Sequence, residues 1–207
     1  MYYRSLLLPL QNTNLPSSTV LTTTAHLHNP TPLPAEIPRD LALSHIHDHD
    51  LLIRLDPELA SYDQIASSNP ANPKTKTYKI TDTMHTLPKG LWDTTVSFEA
   101  DITDLDDGTG IEWVIRAPLG LRQRSTWRII SREELRKEEE EKGVVVKKDR
   151  GETEWWLVEN VEITANRLLV GTVKGKCEGS WRGIHGRFVE GLREAIEKGK
   201  GQEGERK

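Results

Sequence analysis

The stretch Val96-Ser-Phe-Glu-Ala-Asp-Ile-Thr-Asp-Leu-Asp-Asp-Gly-Thr-Gly-Ile-Glu-Trp-Val-Ile115 decides the fold class. Val96, Phe98, Ala100 and Ile102 alternate with Ser97, Glu99 and Asp101, the period of a strand with one buried face. Asp106-Asp107-Gly108-Thr109-Gly110 is turn chemistry, and beyond it Ile111, Trp113 and Ile115 resume the inward set. The two runs therefore form an antiparallel hairpin. Upstream, Tyr78, Ile80 and Met84 alternate with Lys79, Thr81 and Thr83. Downstream, Ser125 to Ile130 predicts a strand, and Trp155 to Thr164 with Arg167 to Lys174 predicts a last hairpin turning at Ala165-Asn166.

The chain closes differently. Trp181, Ile184, Phe188, Leu192 and Ile196 recur at three- and four-residue steps, with His185, Val189 and Ala195 widening the stripe. That is a helix with one apolar face, with Ser180 as N-cap and Gly199 as its stop. Gly183, Gly186 and Gly191 inside it each cost about 1 kcal/mol relative to alanine, so close approach of a sheet or ligand, or simple tolerance, has to account for them. Before the sheet, Val20 to His28 predicts a first strand, and the proline-rich Asn29 to Pro38 a loop. Leu41 to Leu55 predicts a helix, and a short helix is placed from Pro57 to Ile65. The predicted class is α+β: a curved antiparallel sheet of six to seven strands packed on a long C-terminal helix, with short helices after the first strand.

A length of 207 residues suits one large domain. We divide it into an extended polar leader (1–17), a single domain (18–198) carrying a charged insertion (131–151), and a disordered tail (199–207). The insertion has one apolar residue between Arg132 and Lys142 and is expected to be a solvated helical excursion or mobile loop. A net charge of −4 gives no general attraction to nucleic acid, and no stretch approaches the roughly 20 apolar residues of a membrane span. Cys177 is the only cysteine, which favours a reducing, cytoplasmic setting.

The order of elements resembles the START-like superfamily, also termed SRPBCC or helix-grip, which includes polyketide cyclases and Bet v 1-like proteins. His45-Ile-His-Asp-His-Asp50 running into Leu55-Asp56-Pro57, and the closing Ser180-Trp181-Arg182 with Phe188, resemble a fungal branch of it with no assigned activity. The resemblance covers roughly residues 18 to 198. It implies a sheet curled around the last helix with a hydrophobic cavity between them; periodicity alone allows a filled core equally.

Three constellations bear on chemistry. If helical, His45 and His49 lie one turn apart, a spacing that can chelate zinc, although no third ligand is identifiable; the alternative is that the cluster caps and packs. Asp82 falls in register with Tyr78 and Ile80, and Glu159 with Leu157 and Val161. An inward carboxylate would be a candidate acid or base, whereas a bulge or an arginine partner would make it structural. Six tryptophans among twelve aromatics imply a wide interior, with Trp113 and Trp127 inward and Trp155 and Trp156 on opposite sides of one strand.

The first functional expectation is a non-catalytic or weakly catalytic protein that binds a small apolar or lipid-like ligand. Met84, Phe98, Trp113, Ile115, Trp127, Ile184 and Phe188 would line its cavity. The second is an enzyme of the cyclase or dehydratase kind using Asp82 or Glu159. The third is an interaction module built on the charged insertion or an outer tryptophan. No cofactor, metal, nucleic acid, membrane span or specific protein partner is indicated.

Overall fold

The computed structural model describes residues 22–86, 92–143 and 153–204. Residues 1–21, which include the expected leader, and residues 87–91, 144–152 and 205–207 lie outside them. The elements are β1 (Thr22–Pro32), α1 (Arg39–Ile46), α2 (His49–Ile53), β2 (Leu59–Ile65), β3 (Thr75–Thr86), β4 (Trp92–Asp104), β5 (Gly110–Ala117), β6 (Leu121–Ser131), α3 (Arg132–Glu141), β7 (Trp155–Asn166) and α4 (Arg167–Gly204). Seven strands form one antiparallel sheet in the order β1-β7-β6-β5-β4-β3-β2. The long helix α4 packs on β1 and β7. This is the helix-grip architecture. No described helix is long and apolar enough to cross a membrane.

The β4–β5 hairpin closes as its turn residues require. Leu105 N–H donates to the Gly110 carbonyl, Asp107 accepts from Thr109 N–H, and Gly108 sits at φ 66°. Gly110 matters for another reason. A Cβ there would stand 1.9 Å from the Trp127 carbonyl oxygen, so only glycine lets β5 come this close to β6. The glycines of α4 differ. At Gly183, Gly186 and Gly191 a Cβ would meet nothing within 4 Å, which removes close approach as their explanation.

Several predicted elements are corrected. Arg167 to Lys174 is helix, not strand: Leu169, Val170, Val173 and Cys177 follow helical spacing and pack against Val161, Ile163 and Ala165. Asn166 starts this helix by accepting from Leu169 N–H at 3.0 Å, so the cap stands 14 residues before the expected one at Ser180, and α4 continues past Gly199. Residues 59–65 are strand, not helix. A register shift between Leu59 and Ser61 on an edge strand leaves Leu59, Tyr62 and Ile65 half-buried, and this spacing of three imitates a helix. Strand β1 runs through Asn29 to Pro32; as an edge strand it has a free side, where proline's missing N–H is tolerated.

The charged insertion is also corrected in part. Helix α3 has a capping box, with Ser131 accepting from Glu134 N–H and Glu134 from Ser131 N–H. It lies on the outer face of the sheet. Leu135 joins Ile130, Trp156 and Val158 in a small second core, while Glu139 is buried beside His28. Glu133, Arg136, Lys137 and Glu140 stay exposed.

Candidate functional site

The inner face of the sheet carries the main core. Ile80, Ala100, Ile102, Ile111, Trp127 and Leu157 meet Phe188 and Leu192 of α4, and Ile46, Leu52 and Ile53 of the two short helices close one side. Among the described residues, packing against this core is incomplete beside α2. A cavity of about 120 Å³ lies between the sheet, the end of α2 and α4. Its wall is Leu52, Ile53, Leu59, Ile80, Phe98, Trp113, Ile115, Trp127 and Ile184, interrupted by Asp56, Asp82, Gln123, Ser125 and Glu159. An apolar cavity of about 150 Å³ accommodates benzene, so this one is on the scale of a single small ring.

Strand alternation puts both carboxylates there. Asp82 follows Tyr78 and Ile80 on the inner face of β3, and only 8% of its surface is exposed. Its Oδ1 is buried without a hydrogen-bond partner. Burial pushes its pKa up to about 6; Asp56 and Glu58 add to the rise, while Lys176 opposes it. Lys176 is itself ion-paired with Glu58. Among the other wall residues, Trp113 also has a buried Nε1 with no partner.

Glu159 is held quite differently. Trp127 Nε1 donates to its Oε1 at 3.0 Å, and Asn29 Nδ2 to its Oε2 at 2.9 Å. Behind it stands His185, 1% exposed, with Nε2 3.5 Å from Oε2 and Nδ1 sharing a 2.7 Å hydrogen bond with the Thr31 hydroxyl. The His185 ring also meets Trp127 and Trp181 edge to face. Glu159 is therefore a fixed carboxylate and Asp82 a free one.

Of the expected lining residues, Phe98, Trp113, Ile115, Trp127 and Ile184 stand in the wall. Phe188 does not: it is fully buried in the core, its ring edge-on to Trp127 at 6.2 Å. The side chain of Met84 lies outside the described residues. Leu52, Ile53, Asp56, Leu59, Gln123 and Ser125 were not anticipated from the sequence, and neither was the support that Asn29 and His185 give Glu159. Asn29 falls in a segment that its prolines mark as loop, and His185 sits in an apolar stripe, where it reads as filler. Gln123 lies on β6 ahead of the predicted strand; it donates to Ser125 and accepts from Cys177, whose thiol burial pushes up to about 11.

The histidine cluster resolves into packing. Asp48 caps α2 by accepting from Leu51 N–H and ends the helical run, so His45 and His49 belong to separate helices and do not share a face. His45 Nδ1 contacts the Leu41 carbonyl. His47 and His49 instead converge on Asp104, at 2.7 and 3.3 Å, and His49 also meets the Tyr78 hydroxyl. Burial lowers the pKa of His49, against the pull of Asp104. Among the described residues no group of three or more His, Cys, Asp or Glu side chains is placed to hold a metal ion.

A family model described as "Domain of unknown function (DUF7053)" matches residues 22–194, so the chain belongs to that family. No curated protein matches it. Among solved structures it is similar to the Zhui aromatase/cyclase from Streptomyces sp. R1128, at 8% identity and a TM-score of 0.56, covering 84% of this chain and 96% of that one. It is also similar to norcoclaurine synthase from Thalictrum flavum in complex with dopamine and hydroxybenzaldehyde, at 12% identity and a TM-score of 0.55, covering 93% and 98%. At such identities the likeness establishes the shared fold.

Proposed function

We propose that this member of the DUF7053 family holds a small, largely apolar molecule in the cavity between its sheet and α4. The observation that carries this is an incompletely packed core whose apolar wall contains an unpartnered, buried carboxylate, Asp82. A side chain placed there only for packing would be apolar, because a buried charge without a partner is expensive. The ring-sized volume supports a compact ligand over a long acyl chain. That the structural neighbours are named as a cyclase and as a synthase with two aromatic molecules bound is in keeping with this reading. The single cysteine supports a cytoplasmic setting, and the resemblance a fungal source.

A second reading, catalysis inside the cavity, is favoured by one observation. Glu159 is oriented by Trp127 and Asn29 with His185 behind it, while Asp82 is raised towards neutrality, and such pairs of unlike carboxylates suit proton transfer. One experiment addresses both. Native mass spectrometry of the purified full chain is expected to show a co-purified small molecule, absent from a cavity-filling Ile184→Trp variant of unchanged Tm. If the captured molecule is converted on incubation by the parent and not by Glu159→Gln, the second reading holds; if it returns unchanged, the first does. Equal adducts on the parent and on Ile184→Trp would contradict both.

A further inference from the structure

The chemistry of the wall narrows the ligand class. Three carboxylates, those of Asp56, Asp82 and Glu159, line the cavity, and among the described residues no lysine, arginine or histidine does. An anion would meet uncompensated repulsion. A neutral hydrocarbon would leave Asp82 as it stands, more than nine-tenths buried with Oδ1 unpartnered. Glu159 already accepts from two donors and needs no further partner. The cation nearest in chemistry to Asp82, Lys176, is engaged by Glu58 and lies outside the wall. Phe98, Trp113 and Trp127 supply aromatic surface in the same space, and aromatic faces attract a positive charge that has left water.

We propose that the cavity takes a small aromatic amine, an apolar ring carrying one protonated nitrogen, with the Asp82 carboxylate as its anchor. The proposal deepens the ligand-binding reading and rests on it. It implies a pH dependence. The groups that bear on Asp82 are Asp56, Glu58 and Lys176, and with burial they leave it titrating near 6. Only the ionised form attracts the amine. Affinity should therefore rise about tenfold from about pH 5 to about pH 7, as the ionised fraction climbs from roughly a tenth to roughly nine-tenths.

The test is titration of the full chain with benzylamine, benzyl alcohol and benzoate, followed by ligand-observed NMR and by tryptophan fluorescence, since Trp113 and Trp127 are in the wall. At neutral pH benzylamine is expected to bind at least about tenfold more tightly than benzyl alcohol, with benzoate weakest. Its advantage should shrink on acidification, and Asp82→Asn should bring benzylamine down to the level of benzyl alcohol. Should that variant fail to fold, the pH series on the parent protein decides alone. Equal binding of amine and alcohol, or an amine preference that survives Asp82→Asn, overturns the amine proposal and leaves the cavity reading standing. Failure of all three probes to bind overturns both.

Discussion

Asp82 on β3 and Asp101 on β4 are the same side chain on neighbouring strands, turned to opposite faces of one sheet. Burial pushes Asp82 up to about 6. Burial alone would raise Asp101 too, but hydrogen bonds from Arg116, Ser68 and Thr77, at 2.6, 2.7 and 2.7 Å, bring it down to about 2. On the outer face Asp101 is fully engaged by neighbouring residues of the protein itself. The apolar patch of that face is likewise completed, with Leu135 of α3 covering Trp156 and Val158. The inner face leaves a void and a carboxylate without a partner. The contrast locates the place where the fold's own interactions do not finish the job, which is where a ligand has most to contribute.

Because both faces hang on one frame, the largest effect should come from breaking that frame. Gly110→Ala forces a methyl group into the Trp127 carbonyl and parts β5 from β6. It should destabilise the protein by about 4 kcal/mol in urea unfolding, with both faces lost in one transition. Retained inner-face tryptophan fluorescence after the outer face has melted would show instead that the faces fold separately.

The two aspartates then separate by sign. Asp82 has a folded pKa above its unfolded value, so its penalty develops as pH rises from about 4 to about 6 and is constant above that. Asp82→Asn should stabilise the ligand-free protein by about 3 kcal/mol at neutral pH and by little near pH 4. Asp101 has a depressed folded pKa, so its contribution is present above about pH 4 and fades as pH falls towards 2. Asp101→Asn should destabilise by about 1 kcal/mol at neutral pH, a figure kept small because Arg116 is partly exposed to solvent. Unfolding midpoints across this pH range check both; equal signs would erase the contrast.

Strand alternation made the inner face legible: the period of two from Tyr78 to Ile115 is enough to place Phe98, Trp113 and Ile115 together, and Asp82 beside Ile80. It could not reveal what happens at the edges. The shift at Leu59 and Ser61 turns a strand into a helical-looking period of three. The run from Leu168 to Val173 is β-branched enough to imitate a strand, and only the Asn166 cap shows that the chain has already entered α4. Site partners set by long-range contact were beyond local reading for the same reason. Asn29 and Glu159 are 130 residues apart, and Thr31 and His185 are 154 apart. Polar residues that look unremarkable where they stand become a site only when the sheet closes on the helix.

The most direct measurement is a carbon-13 NMR titration of the aspartate carboxyl groups in the ligand-free full chain, with Asp82 assigned by the missing resonance in Asp82→Asn. The structure predicts a midpoint near 6 for Asp82, moving down when benzylamine is added, with Asp101 still ionised well below pH 4. A midpoint for Asp82 at the ordinary aspartate value near 4, unmoved by benzylamine, would mean that its carboxylate is solvated and partnered, and would contradict the account.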